Sequence, residues 1–472
     1  MDLSSHSNDV NNDQQMASAY ATIKDHREFF GHPIGLFVLF FTEMWERFSY
    51  YGMRALLVLY MTKSLIVRQQ AGTYVFGFDT LRHVLESAFG PLAVQPFSSQ
   101  IYGFYTGFVF FTPIIGGWIA DRFFGQRRTV ILGGILMAIG HFLMAVESLF
   151  LPALLFLILG NGCFKPNVST QVGSLYKAGD PRRDRAFNIF YMGVNLGAFF
   201  SPLVCGTLGQ VYGWHYGFGA AGVGMVVGLI IYLWGQKFLA EDNLTRREEA
   251  HVEVQKLTPT EWKAIWGLVI LCALNVVFWA VYEQQGNTIQ LFADQNTDWH
   301  ILGWNMPTTW FQSMNPAFIF ILTPFISMLW KRQAERKTEP SSIVKMGLGC
   351  VMLGLSFLVL VYVSIGLTEK TLINCSWLVG CTLIYTLGEL YLSPVGLSLV
   401  TKVAPAKYVG MLMGMWFLSS FFGNILSGYI GTFYSSMSKE SFFLLLTGLG
   451  VTSGLGFFAT YRPLRRALGH DV

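Results

Sequence analysis

The stretch PIGLFVLFFTEMWERFSYYGMRALLVLYMT, residues 33–62, has the length of a bilayer crossing but carries Glu43, Glu46, Arg47 and Arg54. A helix needs roughly 20 apolar residues to span the hydrocarbon core. A charge at the centre of a lone membrane helix costs on the order of 2.5–3.5 kcal/mol. At helical spacings of three, four and seven, Glu43, Glu46, Arg47, Tyr50 and Arg54 fall on one stripe. That stripe makes poor lipid contact and good sense lining a polar cavity. The structural alternative is an ion-pair network that only fixes helix packing.

Working outward, the whole chain has the same character. Of its 472 residues 53% are hydrophobic and 13% charged, with mean hydropathy +0.45. A soluble protein carries about 25% charged residues, so water is not the main solvent of this surface. Twelve apolar spans are expected, near 33–62, 100–120, 129–148, 151–175, 185–209, 214–236, 262–292, 308–330, 342–367, 373–401, 406–433 and 439–461. Loops on one side hold Arg122, Arg127, Arg128, Lys177, Arg182, Arg183, Arg185, Lys237, Arg246, Arg247, Lys256, Lys331, Arg332, Arg336, Lys337, Lys402, Lys407, Arg462, Arg465 and Arg466. The opposite loops hold Lys63, Arg68, Arg82, Lys370 and Lys439. That bias, about four to one, places both termini in the cytoplasm. The charged run Lys237–Glu261 divides the spans six and six, the layout of transporters built from repeated halves. The expected organisation is a cytoplasmic tail (1–32), a six-helix bundle (33–236), a cytoplasmic linker (237–261), a second six-helix bundle (262–461) and a tail (462–472). The segment Lys63–Ser99 is long and faces outward without an assigned role.

Other chemistries find little footing. The net charge of +4 is not massed for nucleic acid, and the six cysteines lie in or beside apolar segments without a CxxC pair, so no metal or disulfide framework is implied. Gly217-Phe-Gly219-Ala-Ala-Gly222 matches a dinucleotide fingerprint but sits inside a span, where close helix packing explains it. There is no HExxH and no phosphate-binding Gly-Lys-Ser/Thr loop. An enzyme is not expected, and no cofactor is implied. The polar N-terminus lacks the layout of a cleaved signal peptide, so the first span reads as retained.

Buried charge recurs in the second half. Glu283 lies in the seventh span and Glu389 in the tenth, facing the cationic inventory of the first half, Arg47, Arg54 and Lys165. Cations on one wall and carboxylates on another suit a zwitterion. The aromatic residues Tyr50, Tyr51, Tyr105, Trp279, Tyr282 and Trp416 would accept varied side chains. Asn161, Asn195 and Asn315 would bond a peptide backbone or a neighbouring helix.

Several strings together resemble the proton-coupled oligopeptide transporter family of the major facilitator superfamily. Glu43-x-x-Glu46-Arg47-Phe48-x-Tyr50-Tyr51-Gly52 is similar to that family's first signature. Gly116-Gly117-Trp-Ile-Ala-Asp121-Arg122-Phe-Phe-Gly125-Gln-Arg127-Arg128 is similar to the loop shared across the superfamily. Gly160-Asn-Gly-Cys-Phe-Lys165-Pro166-Asn167, Phe190-Tyr-Met-Gly-Val-Asn195-Leu-Gly197, Phe278-Trp279-Ala-Val-Tyr-Glu283-Gln284-Gln285-Gly286 and Gly388-Glu389-Leu-Tyr-Leu-Ser393-Pro394 resemble its later blocks. The resemblance covers nearly the whole chain.

It implies an all-α membrane fold of twelve helices in two bundles, importing di- and tripeptides with protons as the coupling ion. Proton coupling would rest on Glu43, Glu46, Arg47, Lys165 and Glu283. Arg54 with Glu283 would gate the outer side, and Lys165 with Glu389 the inner side. The peptide carboxylate would meet Arg54 and Lys165, and its amine Glu389. Tyr50, Tyr51, Tyr105, Asn195, Trp279, Glu283, Asn315 and Trp416 would line the site. Animal members carry a histidine in the second span where this chain has Gly103. Many bacterial members insert two helices between the halves, for which the Lys237–Glu261 connector has no room. The expected location is the inner cell membrane, as a monomer without an obligatory protein partner. Two alternatives stay open at this stage: a transporter of the same fold for nitrate or another small anion, and a peptide sensor that does not transport.

Overall fold

The computed structural model describes residues 20, 22–177, 179–242, 258–301, 303–368, 371–404 and 409–468. Most of both tails' outer ends and the middle of the 237–261 linker lie outside these, as do Arg246, Arg247, Lys256, Lys370 and Lys407 of the orientation argument. Among the described residues the chain is almost entirely helical: α1 (Ile34–Tyr60), α2 (Ile66–Gln70), α3 (Phe78–Phe89), α4 (Val94–Ile119), α5 (Gln126–Leu143), α6 (Phe150–Ser174), α7 (Arg182–Ser201), α8 (Trp214–Trp234), α9 (Pro259–Tyr282), α10 (Thr288–Gln295), α11 (Met314–Glu335), α12 (Ser342–Ser364), α13 (Ser376–Val403), α14 (Val409–Gly431) and α15 (Lys439–Leu468).

All of these except α2, α3 and α10 correspond to the twelve expected spans. Ten, with their short extensions, are long and apolar enough to cross a membrane. The other two miss for visible reasons. Any bilayer-length piece of α1 contains Glu43, Glu46 and Arg47, and α5 opens on Gln126-Arg127-Arg128. Phe41, Ile114, Trp118, Ile135 and Phe325 are exposed, as helices solvated by lipid require.

Two features go beyond these expectations. The seventh span, expected near 262–292, runs over Glu261–Gln295, but its α-helix stops at Tyr282, continues as a 3-10 turn over Glu283–Gly286 and restarts at Thr288. Backbone groups freed inside a membrane must be satisfied locally. Polar side chains do part of this. Gln284 Nε2 donates to Ala280 O (3.3 Å), a carbonyl of the turn that ends at Tyr282, and the same side chain is tied to Ser427 O (2.9 Å), Ser427 Oγ (3.1 Å) and Thr288 Oγ1 (2.7 Å). The 63–99 segment is not a plain loop: it holds α2 and the amphipathic α3, and α4 begins as early as Val94.

The chain divides into two compact units, one of residues 1–56, 73–78 and 111–254, the other of 57–72, 79–110 and 255–472. In the first, α5 packs on α6 and α8. Gly217 and Gly222 of the fingerprint-like string press on Leu56 and Phe142 respectively, as close packing requires. The superfamily loop is pinned there by electrostatics at a helix start. Asp242 accepts from the backbone N–H of Arg127 (2.9 Å) and of Arg128 (3.4 Å), in the first turn of α5 where partial positive charge collects. Arg127 in turn donates to Gln236 O at 2.7 Å. Gly125 precedes this turn with φ 80° and ψ 166°, a region that L side chains avoid, and a Cβ there would lie 2.3 Å from Asp242 Cγ. Gly125→Ala is expected to destabilise by about 1–3 kcal/mol, read as a lowered thermal unfolding midpoint; an unchanged midpoint would contradict the geometry.

Nearby, Arg182 at the start of α7 ties the chain before α1 to the loop after α6. It contacts Asp180 at 2.8 Å and Glu28 at 2.8 Å. Its side-chain hydrogen bond holds the Asp180 carboxyl below the usual carboxylate range. In the second unit, α12 packs on α13 and α15, and α9 on α14 and α15. α9 starts with a capping box: Glu261 N donates to Thr258 Oγ1 (3.2 Å), Thr258 N donates to Glu261 Oε2 (2.7 Å), and Pro259 sits where its missing N–H costs nothing.

Candidate functional site

The α1 stripe folds into a buried ionic cluster. Glu46 is wholly buried, and Glu43 and Arg47 are each 3% exposed. Arg47 Nε contacts Glu43 Oε1 at 3.2 Å, and its Nη2 donates to Glu46 Oε1 at 2.9 Å while Nε also meets Glu46 Oε2. Asn161 of α6 adds a 3.2 Å donation to Glu46 Oε1. Glu43 Oε2 has no hydrogen-bond partner among the described residues. Two carboxylates thus share one guanidinium, with Glu46 the better satisfied. The Lys165 ammonium on α6 acts electrostatically on Glu43.

The same stripe continues with aromatic rings under cations. The Arg47 guanidinium carbon lies 5.3 Å from the Tyr50 ring, and that of Arg54 lies 5.8 Å from Tyr51. Such contacts are worth about 0.5–2 kcal/mol, more when desolvated. Tyr50 and Arg54 are buried and Tyr51 half-buried. Asn195, buried on α7, donates to Tyr191 O of its own helix at 3.0 Å.

The second unit carries the other expected residues. Glu389, partly buried on α13, accepts from Asn315 Nδ2 at 2.8 Å, and Asn315 also donates to Thr386 Oγ1 at 3.1 Å. Asn315 therefore orients the carboxylate. Tyr282 and Tyr385 stack with ring centroids 4.7 Å apart, and Tyr385 OH donates to Tyr282 O at 2.6 Å. Trp279 meets Tyr282 edge-on at 5.2 Å. Glu283, 2% exposed, sits at the helix break, and Tyr105 is buried on α4. Trp416 is buried against Gly396.

Three contacts of the second unit involve residues the sequence reading passed over. Lys63 Nζ meets Asp294 Oδ2 at 2.6 Å, and the Asp294 side chain is only 6% exposed. Ser99 Oγ donates to Asn287 Oδ1 at 2.8 Å, and Gln95 Nε2 donates to Gly431 O at 2.9 Å. Asp294 follows the apolar run Leu291-Phe292-Ala293, a carboxylate at the end of a span that its composition alone flags. Gly103 lies against α14: a Cβ there would fall 2.6 Å from Gly428 Cα and 2.7 Å from Asn424 O.

The chain is similar to known proteins over most of its length. A family model described as the POT family matches residues 127–247 and 240–445. The chain is 34% identical to the peptide transporter YePEPT of Yersinia enterocolitica, over 86% of this chain and 88% of that protein. It is 32% identical to a di-/tripeptide transporter of Lactococcus lactis, over 94% and 98% of the two chains. Among solved structures, a peptide transporter POT in complex with sulfate superposes with TM-score 0.83 at 34% identity, covering 97% of this chain and 99% of that one.

Proposed function

We infer, from the fact that this chain belongs to the POT family, that it is a multi-pass membrane symporter carrying di- and tripeptides together with protons. The observation that supports this reading most directly is the buried α1 cluster, in which Arg47 is shared by Glu43 and Glu46. Protonating one of two carboxylates that share a cation leaves the other as its sole partner, a change of pairing that a helix bundle can read as motion. We place both termini in the cytoplasm on the distribution of Lys and Arg, and the protein in the inner cell membrane on the family resemblance. A monomer suffices for this scheme, and it uses no cofactor other than the coupling proton.

In this scheme the two bundles rock around a midplane site. Arg54 and Lys165 take the peptide carboxylate, and Glu389 takes its amine, while Arg54–Glu283 and Lys165–Glu389 serve as gates. These roles rest on charge sign and on the family resemblance. Each proton entering through 100 mV supplies about 2.3 kcal/mol, roughly a fifty-fold accumulation. The decisive measurement is dialanine uptake into proteoliposomes: accumulation only under an inward proton gradient supports the reading, and equal uptake without one overturns it.

The hydrogen bond from Asn315 makes Glu389 a positioned acceptor. Glu389→Gln is expected to lower dipeptide uptake by about 100-fold, the loss of a charged hydrogen bond of roughly 1.5–3 kcal/mol compounded by an unpaired substrate ammonium. A variant that transports dipeptide normally would remove the amine from Glu389.

A further inference from the structure

The second unit has a polar cavity of about 580 Å³, lined by none of the candidate-site residues, at the end of the bundle where α11 and α13 finish, α12 begins and α15 finishes. Its walls include Lys345, Lys402 and Arg465, against one carboxylate, Glu339. Lys345 is spoken for. Its ammonium pairs with Glu339 and lies 4.1 Å from the centre of the Trp330 ring, with only 9% of the side chain exposed. That leaves Lys402 and Arg465 in surplus, and neither has an ion-pair partner among the described residues. Arg465 Nη1 reaches only Tyr461 OH, at 3.5 Å. Hydroxyls of Ser341, Ser342 and Ser398 complete the lining, the first two at the start of α12, where partial positive charge adds to that of the cations.

A cavity with two surplus cations, serine hydroxyls and a helix start is built for a tetrahedral oxyanion. We propose that it binds a phosphate group, carried on an anionic phospholipid or free in solution. The surroundings favour the lipid. α11 is the least buried of the ten apolar spans, with Phe320, Ile321, Phe325, Met328 and Leu329 exposed beside the cavity's Trp330. A headgroup in the cavity would thus have an apolar helix face next to it for its chains. Basic recesses between membrane helices on the Lys/Arg-rich side are where anionic headgroups settle.

The test uses the full-length protein purified in detergent and its thermal unfolding midpoint at fixed ionic strength. Micelles doped with phosphatidylglycerol are expected to raise the midpoint by roughly 5 °C at saturation, and phosphatidylcholine is expected to leave it unchanged. The double variant Lys402→Gln/Arg465→Gln is expected to keep its lipid-free midpoint and lose the rise. Removing two cations on the same side but outside the cavity, Lys331→Gln/Arg336→Gln, is expected to preserve it. If inorganic phosphate alone produces the rise, and the cavity variant abolishes that too, the bound group is free phosphate and the cavity assignment stands. A full phosphatidylglycerol response in the cavity variant, or an equal response to phosphatidylcholine, overturns the proposal.

Discussion

Glu43→Gln is expected to abolish concentrative dipeptide uptake while leaving exchange down a gradient intact. The roughly fifty-fold accumulation available from one proton at 100 mV should fall to none. The reasoning starts from the unequal satisfaction of two neighbours. Glu46 meets Arg47 with both oxygens and also receives Asn161. Glu43 makes one 3.2 Å contact to Arg47, and its other oxygen has no hydrogen-bond partner among the described residues. Glu43 is therefore the carboxylate that can take up a proton without stranding the guanidinium. Glutamine mimics its protonated form at nearly the same volume, so the cluster is held in one pairing and cannot cycle. Glu46→Gln is expected to show the same transport defect with a heavier stability loss. Removing one partner of a buried ion pair costs about 3–5 kcal/mol, and Glu46 is the main partner of Arg47. The measurement compares proteoliposome uptake under an imposed proton gradient with counterflow of labelled dialanine. Full uphill transport by both variants would remove the α1 acids from coupling.

The second large effect concerns Gly103, the position at which the family resemblance sets the histidine of animal members. Gly103→His is expected to yield no folded protein, and Gly103→Ala to lose about 1–3 kcal/mol, the usual cost of overpacking. The cause is backbone against backbone. A first side-chain carbon at 103 would sit 2.6 Å from Gly428 Cα and 2.7 Å from Gly428 N. No rotamer relieves such a contact; the helices themselves would have to part, along with the Ser99–Asn287 hydrogen bond one turn away. Size-exclusion profiles of tagged protein check this directly. A monodisperse Gly103→His variant with native stability would show that α4 and α14 do not approach as described.

Much of the architecture was legible because a membrane imposes length and apolarity on each helix, and embedded charges stand out against that background. The ionic stripe of α1 could be read from spacing alone, since residues three and four apart share a helix face. The interruption after Tyr282 could not. Glu283-Gln284-Gln285-Gly286 has the polarity of a functional stretch but no proline to announce a stop, and one of its contacts, Gln284 with Ser427, is to a residue far along the chain. Likewise Lys63 reads as an ordinary loop cation until Asp294, 231 residues away, is placed beside it. The amphipathic α3 was hidden for a different reason. Asp79, Arg82, His83 and Glu86 make its sequence look like an exposed connector, and hydropathy has no signal for a helix that does not cross.

The interruption between α9 and α10 also has a mechanical side. Eight residues of α10 make a separate rod about 12 Å long at 1.5 Å per residue, buried from Thr288 to Ala293 and held near its end by Trp299 Nε1 donating to Ala293 O at 2.6 Å. Asp294 lies near the tip of that rod. The break thus divides one rod into two separately anchored pieces, so that Asp294 is positioned by the short piece and its own contacts rather than by the line of α9.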